Sequence, residues 1–279
     1  MRRFLRRPRR RGPRVLDVGG PILVEGSDEL SARHRGRIAV VAHWSNTARL
    51  SRSVLATAAA LAAADYAIVL VSTAEVPEPL DWQSARPVGV TVLRRPNVGY
   101  DFGSWAAAID RYPQLVEAER ILLMNDSLAG PFAPVAGLLE RFHASTADAW
   151  GITDTTQFGQ HLQSYALGFP GRSLAEGPIR QFWRDIRVEP TKDELIWQNE
   201  IGLSNMLRRE RFVIDVAIPS WRVVEDGRNP TIIGWRRLLD RGFPFIKREL
   251  LRHPQLAPDG FEVRGEIRRR FGVDVDEWT

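Results

Sequence analysis

Short apolar runs recur along the first half of the chain, and helical or turn-forming stretches separate them. Each run has the length of a buried strand and is bounded by polar residues, glycine or proline. The runs predict strands over residues 37–42, 66–72, 88–93 and 120–124. Alanine-rich and leucine-rich sequence predicts helices over residues 53–64 and 104–111. This alternation is typical of an α/β fold with a mainly parallel central sheet and helices on both faces.

The second half of the chain continues the mixed pattern with shorter elements. It predicts two helices, near residues 135–143 and over residues 194–209, and three strands near residues 149–153, 163–169 and 212–216. Since no internal repeat or linker interrupts the pattern, we expect a single domain. Its bounds are set at residues 37–254, after a disordered Arg-rich tail and lead-in (residues 1–36) and before a peripheral C-terminal segment (residues 255–279).

Composition narrows the class of protein. Cysteine is absent from the 279 residues, which excludes disulfides and thiolate metal sites. No apolar run is long enough to span a membrane, and no apolar stretch follows the basic N-terminus as it does in a secretory signal. We therefore expect a cytoplasmic protein.

Net charge is concentrated at the N-terminus. Residues 1–14 hold eight arginines and no acid, so subtracting them from the formal net charge of +5 leaves −3 for the rest of the chain. Such a tail suits peripheral contact with anionic lipid at the inner face of the cell membrane, or it serves as a solubilising tail. The acidic body, without interleaved basic and aromatic residues, argues against nucleic-acid binding.

A glycine-spaced turn precedes the second predicted helix and carries Asn97, Gly99 and Asp101. Glycine lets the backbone turn tightly and approach a ligand closely, and Arg95 lies just before the turn, within reach of a diphosphate. The alternative is a plain strand-to-helix turn in which Asp101 caps a helix that begins near Ser104.

Asp126 follows the fourth predicted strand. A carboxylate beyond the end of a buried strand lies where open α/β sheets bind ligands, and Mg²⁺ and Mn²⁺ prefer oxygen ligands. We therefore predict Asp126 as a metal and donor-binding residue. A single carboxylate in residues 125–127 leaves a simple turn as the alternative.

Two further residues suit acid–base chemistry. Glu200 falls in an apolar stripe of the predicted helix over residues 194–209. Burying a carboxylate there is costly, so Glu200 is a candidate general base. The alternative is that Glu200 lies at the edge of the stripe and its side chain reaches water. His161 precedes an apolar strand and is the reserve candidate for the base, with a structural loop histidine as the alternative.

Lys247 and Arg248 form a basic pair suited to binding phosphate, or else the solvated start of a helix. Trp44 lies in a polar loop and could stack on a base or sugar.

Taken together, these segments resemble the rhamnan synthesis protein F family, a group of bacterial glycosyltransferase-like proteins. The matching motifs run in order over roughly residues 37–254 and stand here as residues 95–105 (RPNVGYDFGSW), 122–127 (LLMNDS), 130–132 (GPF), 161–165 (HLQSY), 200–204 (EIGLS), 229–230 (NP) and 244–251 (PFIKRELL).

The resemblance implies a GT-A-like nucleotide-sugar-binding fold. It also implies a role in building rhamnose-containing cell-surface polysaccharide, with dTDP-rhamnose as donor and a lipid-linked or growing glycan as acceptor. Residues 125–127, after the fourth predicted strand, hold one carboxylate where many glycosyltransferases have a two-carboxylate Asp-x-Asp, which bears on the metal more than on the fold. A non-catalytic glycan-binding or partner-binding module with the same fold is the alternative.

Overall fold

The computed structural model describes residues 12–28, 30 and 36–279. Most of the Arg-rich tail therefore lies outside the described residues. The elements of the first half are α1 (Val15–Val18), β1 (Leu23–Glu25), β2 (Arg37–His43), α2 (Arg52–Ala63), β3 (Tyr66–Ser72), β4 (Val90–Arg94), α3 (Tyr100–Arg111) and β5 (Arg120–Asn125).

The second half is built from shorter elements. They are β6 (Leu128–Ala129), α4 (Ala136–Ala144), β7 (Ala149–Thr155), β8 (His161–Leu162), β9 (Ala166–Phe169), α5 (Gly171–Ala175), α6 (Gly177–Arg184), α7 (Lys192–Leu195), a π-helical turn (Ile196–Ile201), α8 (Gly202–Arg209), β10 (Ile214–Ile218), α9 (Trp235–Asp240), β11 (Ile246–Lys247), α10 (Arg248–Arg252) and α11 (Val263–Phe271).

One twisted sheet organises the described residues, with the strand order β1-β4-β3-β2-β5-β9-β7-β10 and β8 paired with β7. Strands β4, β3, β2 and β5 are parallel, as are β7 and β10. Strand β9 runs antiparallel between β5 and β7, and β1 is antiparallel to β4. Because β3 and β5 flank β2 on opposite sides, the direction of winding reverses at β2, and a crevice opens beyond the carboxyl ends of β2 and β5.

Helices cover both faces of the sheet, as the sequence predicted. In β2, Ile38 and Val40 face a cluster that includes α1, α3, α5, α6 and α8, whereas Ala39 and Val41 face a cluster that includes α2, α4 and α9. Alternate side chains of a strand point to opposite faces, so a strand buried on both faces is apolar throughout. No described helix is both long and apolar enough to cross a membrane.

Several element bounds differ from those the pattern predicted. Helix α3 begins at Tyr100 rather than near Ser104, because Gly99 takes a left-handed conformation (φ 81°) that starts the helix earlier. The expected helix over residues 194–209 contains the π-helical turn. The expected strand over residues 163–169 is shorter, since β9 begins at Ala166, and the separate two-residue strand β8 precedes it. Irregular turns of this kind leave no mark on hydrophobic periodicity.

Both flanking segments contribute to the packed structure. In the lead-in, Val15 is buried against α3, and β1 extends the sheet beside β4. In the C-terminal segment, expected to be peripheral, Val263, Ile267 and Trp278 are buried with residues of α9, β11 and α10 in a third apolar cluster. The cluster forms because β11 pairs antiparallel with β6, which ties the end of the chain to the loop after β5.

The turn before α3 depends on glycine at position 99 for space as well as for conformation. A Cβ at Gly99 would lie 2.4 Å from Val15 Cγ2, whereas a Cβ at Gly89, with nearly the same φ of 82°, would meet open space. We expect Gly89→Ala to lower the free energy of unfolding by about 1–2 kcal/mol, the cost of a left-handed alanine. Gly99→Ala should add about 1–3 kcal/mol of overpacking, measured by urea denaturation.

A double-mutant cycle with Val15→Ala tests the cause. Removing the Val15 methyl groups should make Gly99→Ala less destabilising, so the cycle should give a favourable coupling energy. Additive effects would show that the contact between residues 15 and 99 does not limit the turn.

Candidate functional site

The loops after β2 and β5 meet at the carboxyl edge of the sheet. Parallel pairing sets Ala42 opposite Asn125, so the residues that follow each strand lie side by side. The Trp44 backbone N–H donates a hydrogen bond to the Asp126 carboxylate at 3.1 Å. The Asp126 carboxylate therefore lies at the reversal point of the sheet, held by the loop that follows β2, and its role in metal and donor binding stays a prediction.

Asn125 and Asp126 connect to different parts of the site. Asn125 Nδ2 donates to Asp101 Oδ2 at 2.7 Å, which joins the loop after β5 to the first turn of α3. Asn125 Oδ1 accepts hydrogen bonds from the Ser127 backbone and hydroxyl. Asp101 is not the N-cap of α3, since the helix starts at Tyr100 and its N-cap residue is Gly99. Asp101 instead fixes the orientation of Asn125.

Lys247 and Arg248 reach the same place from a distant part of the sequence. Pairing of β11 with β6 sets Lys247 opposite Leu128, and the Arg248 N–H donates to the Ser127 carbonyl at 2.9 Å. The Arg248 guanidinium donates to Ser51 Oγ at 2.6 Å. Burial lowers the pKa of Arg248 from its usual value, while the Asp126 carboxylate opposes that shift. The basic pair predicted for phosphate thus stands beside Asp126.

A cleft of about 1020 Å³ opens between these loops and the C-terminal segment. Half-exposed Trp44 lines it, and its indole Nε1 donates to Glu75 at 3.3 Å. Basic side chains outnumber carboxylates in the lining: Arg49, Arg52, Lys247, Arg248 and Arg252 against Asp126, Glu249 and Glu277. A cleft with an aromatic ring at one side and an excess of cations suits a ligand that joins a planar base to a diphosphate.

His161 and Glu200 lie together in a second position at the carboxyl edge. Strand β8 pairs with the end of β7, which brings His161 to the π-helical turn that carries Glu200. His161 Nδ1 donates to the Gly159 carbonyl at 2.7 Å, so Nε2 faces the Glu200 carboxylate, 3.9 Å away. Neither residue lines the cleft of Asp126. The structure therefore joins the two predicted catalytic residues to each other.

The remaining predicted residues support the turn before α3. The buried Arg95 guanidinium donates to Ser104 Oγ at 3.3 Å and to the Val98 carbonyl at 2.9 Å, and burial lowers its pKa to about 10. Asn97 is exposed, and Gly99 packs against α1. None of Arg95, Asn97 and Gly99 lines the cleft, so their donor-binding role stays a prediction.

Sequence reasoning missed part of the cleft wall. Arg252 lies one helical turn after Arg248 on α10 and lines the cleft with it, a spacing of four residues that was available in the sequence. Ser51 and Glu277 also line the cleft. Their positions depend on how α2 and the C-terminal segment pack, which no local pattern reveals.

The number of carboxylates in the site determines how it could hold a divalent cation. Within the described residues, no three His, Asp or Glu side chains converge on one point. Asp126 alone presents a carboxylate at the end of β5. Mg²⁺ is commonly held by one or two carboxylates together with substrate phosphates, so the donor set fits an ion whose other ligands come from a diphosphate.

Protonation of His43, which lines the cleft, should lower the free energy of unfolding. His43 Nδ1 lies 3.1 Å from Ser72 Oγ, and burial lowers its pKa below 6.5, helped by Arg248 and Arg94 and opposed by Asp126. Because the unfolded state then binds more protons, the contribution of His43 to stability is complete above about pH 6.5 and falls as the pH drops towards the folded-state pKa.

We therefore expect the difference in unfolding free energy between wild type and His43→Asn to shrink as the pH falls from about 7.5 to 5. Asparagine keeps a polar atom near Ser72 but does not titrate, and the comparison cancels the other groups. The measurement is urea denaturation at several pH values. A difference that does not change with pH would show that His43 titrates alike in both states.

Comparisons with known proteins add to this geometry. The sequence matches the family described as rhamnan synthesis protein F over residues 68–276. It is 31% identical over 211 residues to the virulence protein VirA of Vibrio anguillarum, a match that covers 62% of this chain and 67% of that protein. It is 25% identical over 154 residues to the uncharacterized protein y4gN of Sinorhizobium fredii, which covers 53% of this chain and 40% of that protein.

Among solved structures, the galactosyltransferase LgtC in complex with donor and acceptor sugar analogues aligns with a TM-score of 0.37 and 12% identity, over 64% of this chain and 72% of that chain. The family match spans most of the present chain and includes the loops that hold Asp126, Glu200 and Arg248. The chain belongs to the rhamnan synthesis protein F family.

Proposed function

We propose that this protein is a glycosyltransferase that moves a sugar from a nucleotide-diphosphate donor to a glycan. The observation that carries the proposal is the cleft at the carboxyl ends of β2 and β5. It combines a half-exposed indole at Trp44, the Asp126 carboxylate and the cations Lys247 and Arg248. This set of groups suits a base, a diphosphate and the charge that grows on the leaving group.

The family description, rhamnan synthesis protein F, favours rhamnose as the transferred sugar. The donor in this proposal is dTDP-rhamnose. The acceptor in this proposal is a lipid-linked or growing cell-surface polysaccharide. The fold in the proposal is GT-A-like. An Arg-rich tail over residues 1–14 suits a position at the inner face of the cell membrane, where a lipid-linked acceptor would be found.

On the donor side, Trp44 stacks on the base, and Lys247 and Arg248 face the diphosphate. Positive charge already in place at the leaving group lowers the barrier without reorganisation during the reaction. A Mg²⁺ or Mn²⁺ ion, held by Asp126 and the phosphates, would supply further charge neutralisation when bound. Asp101 keeps Asn125 in place, which in turn orders the backbone of the loop that holds Asp126.

On the acceptor side, Glu200 removes the proton from the attacking hydroxyl. The acceptor oxygen forms a bond to the anomeric carbon as the bond from that carbon to the diphosphate breaks, the proton passes to Glu200, and the nucleoside diphosphate leaves. His161, whose Nδ1–H donates to the Gly159 carbonyl, has its Nε2 3.9 Å from the same carboxylate and is the reserve candidate for the base. Direct displacement of this kind needs one base and inverts the anomeric configuration.

One observation favours a second candidate function. Within the described residues the cleft holds no cluster of carboxylates for a metal, and the pair of His161 and Glu200 lies outside it. A non-catalytic module that binds a glycan or a partner enzyme needs neither. Such a module would bind saccharide without releasing a nucleoside diphosphate from a nucleotide sugar.

Asp126 provides the first test. We expect Asp126→Asn to abolish the strengthening of dTDP binding by Mn²⁺ and to weaken dTDP binding in Mn²⁺ by about 100-fold, since a partner of a partly buried charged contact is lost. Isothermal titration calorimetry with and without EDTA measures both effects. Asp110→Asn, at an exposed position on α3, is the control. Unchanged binding by the Asp126 variant would remove this residue from the donor site.

Glu200 provides the second test. We expect Glu200→Gln to lower kcat by about 10²–10⁴-fold while the affinity for dTDP stays at the wild-type value, because a base acts in the chemical step. Release of dTDP from dTDP-rhamnose, followed with acceptor present, gives kcat, and calorimetry gives affinity. Glu140→Gln, exposed on α4, is the control. A loss confined to dTDP affinity would contradict the role of Glu200 as base.

A further inference from the structure

Two large aromatic side chains are exposed on the two segments that carry His161 and Glu200. Phe158 is 62% exposed and Trp197 is 52% exposed, and their ring centroids are 6.2 Å apart with the planes tilted by 50°. Phe158 comes from the loop between β7 and β8, and Trp197 from the π-helical turn. None of the three buried apolar clusters includes either ring.

The two segments that carry these rings also approach each other at a second pair of residues, His161 and Glu200. Phe158 precedes His161 by three residues, and Trp197 precedes Glu200 by three residues. The contact of the two rings and the 3.9 Å approach of His161 to Glu200 are therefore neighbouring links between the same two segments. The rings therefore come from the same two segments as the carboxylate proposed to receive the acceptor proton.

Hydrogen bonds hold the Phe158 loop in place. On the α8 side, Arg208 donates to the Gln160 carbonyl at 2.5 Å, and Ser204 Oγ accepts from the Leu162 N–H at 3.0 Å. From the other side, Asn229 Nδ2 donates to Gln157 Oε1 at 3.2 Å. The position of the loop is thus set before any ligand arrives, which limits the entropy lost on binding.

The backbone is irregular at both Phe158 and Trp197. Phe158 has a φ of 63°, in the left-handed region that bulky residues rarely adopt. Its partner Trp197 lies in a π-helical turn, a feature that frequently marks functional sites in helices. Strained backbone persists where the surrounding structure holds it, and it clusters at ligand-binding sites. Each irregular segment carries one of the two exposed rings.

We propose that Phe158 and Trp197 form a platform on which a sugar ring of the acceptor glycan stacks, with Glu200 beside it. A sugar presents an apolar face of C–H groups and an edge of hydroxyls. Aromatic rings suit the face, and the Glu200 carboxylate and the Gln157 amide suit the hydroxyls. The platform takes the acceptor, since the cations for the donor diphosphate lie in the Asp126 cleft. This inference rests on the proposed function.

The test measures sugar binding separately from donor binding. Saturation-transfer NMR with a rhamnan oligosaccharide reports contact of sugar C–H groups with the protein, and calorimetry with dTDP reports the donor cleft. Full-length Phe158→Ala, Trp197→Ala and the double variant are compared with Phe261→Ala, a control at a ring that is 75% exposed elsewhere. Phe158→Tyr and Trp197→Phe keep an aromatic ring and test for rescue.

We expect each alanine variant to lower kcat/KM for the oligosaccharide by about tenfold, mainly through KM, with dTDP affinity unchanged and rescue by the aromatic variants. The double variant should lose the saturation-transfer signal, whereas Phe261→Ala keeps it. Equal signals in wild type and the double variant would overturn the platform, as would the absence of a signal from wild type.

The same data separate the two proposals. Turnover of dTDP-rhamnose with an acceptor KM that does not respond to the alanine variants would reject the platform and keep the glycosyltransferase. Oligosaccharide binding that depends on the rings, in a protein that neither binds dTDP nor releases it, would keep the platform and reject transfer.

Discussion

Pairing of β2 with β5, in parallel and in register, is the constraint on which the site depends. It sets the ends of two strands side by side, although about 80 residues separate them in the sequence. The Trp44 amide can then bind Asp126, and Asn125 can bind Asp101. Without that register, the carboxylate, the indole and the first turn of α3 would not share one edge of the sheet. Both strands lie inside the sheet, so hydrogen-bonded neighbours on either side, β3 for β2 and β9 for β5, hold this register.

The site also depends on the C-terminal segment, which brings Lys247 and Arg248 to the cleft. A two-residue pairing between β6 and β11 carries Lys247 and Arg248 to the loop after β5, and the third apolar cluster holds α10 and α11 against it. Burying a guanidinium costs free energy that nearby oxygens must offset, and Arg248 finds them at Ser51 Oγ and the Leu128 carbonyl. The C-terminal segment thus positions part of the cleft, and separating it from the sheet would remove the cations from Asp126.

The sequence predicted the parts of the structure that follow from local pattern. Buried strands such as β2, β3 and β5 are continuous apolar runs, so their existence, the parallel sheet and the position of Asp126 could be derived from the sequence. The pairing of His161 with Glu200 could not, since it depends on β8 meeting a π-helical turn. The sequence also presented Gly99 as a place for ligand approach, whereas the structure packs it against Val15. A glycine in a sequence indicates that another group approaches the backbone closely, but it does not show whether that group is a ligand or a side chain of the protein.

The most direct test of the central claim is the melting temperature of the full chain with dTDP and a series of nucleotide sugars, each with and without Mn²⁺. A ligand that binds only the folded protein raises the melting temperature by mass action. If the cleft between β2 and β5 holds an activated sugar, a nucleotide diphosphate-sugar will raise the melting temperature of wild type, and Arg248→Gln will reduce that rise. A melting temperature that no nucleotide or nucleotide sugar changes would contradict the account.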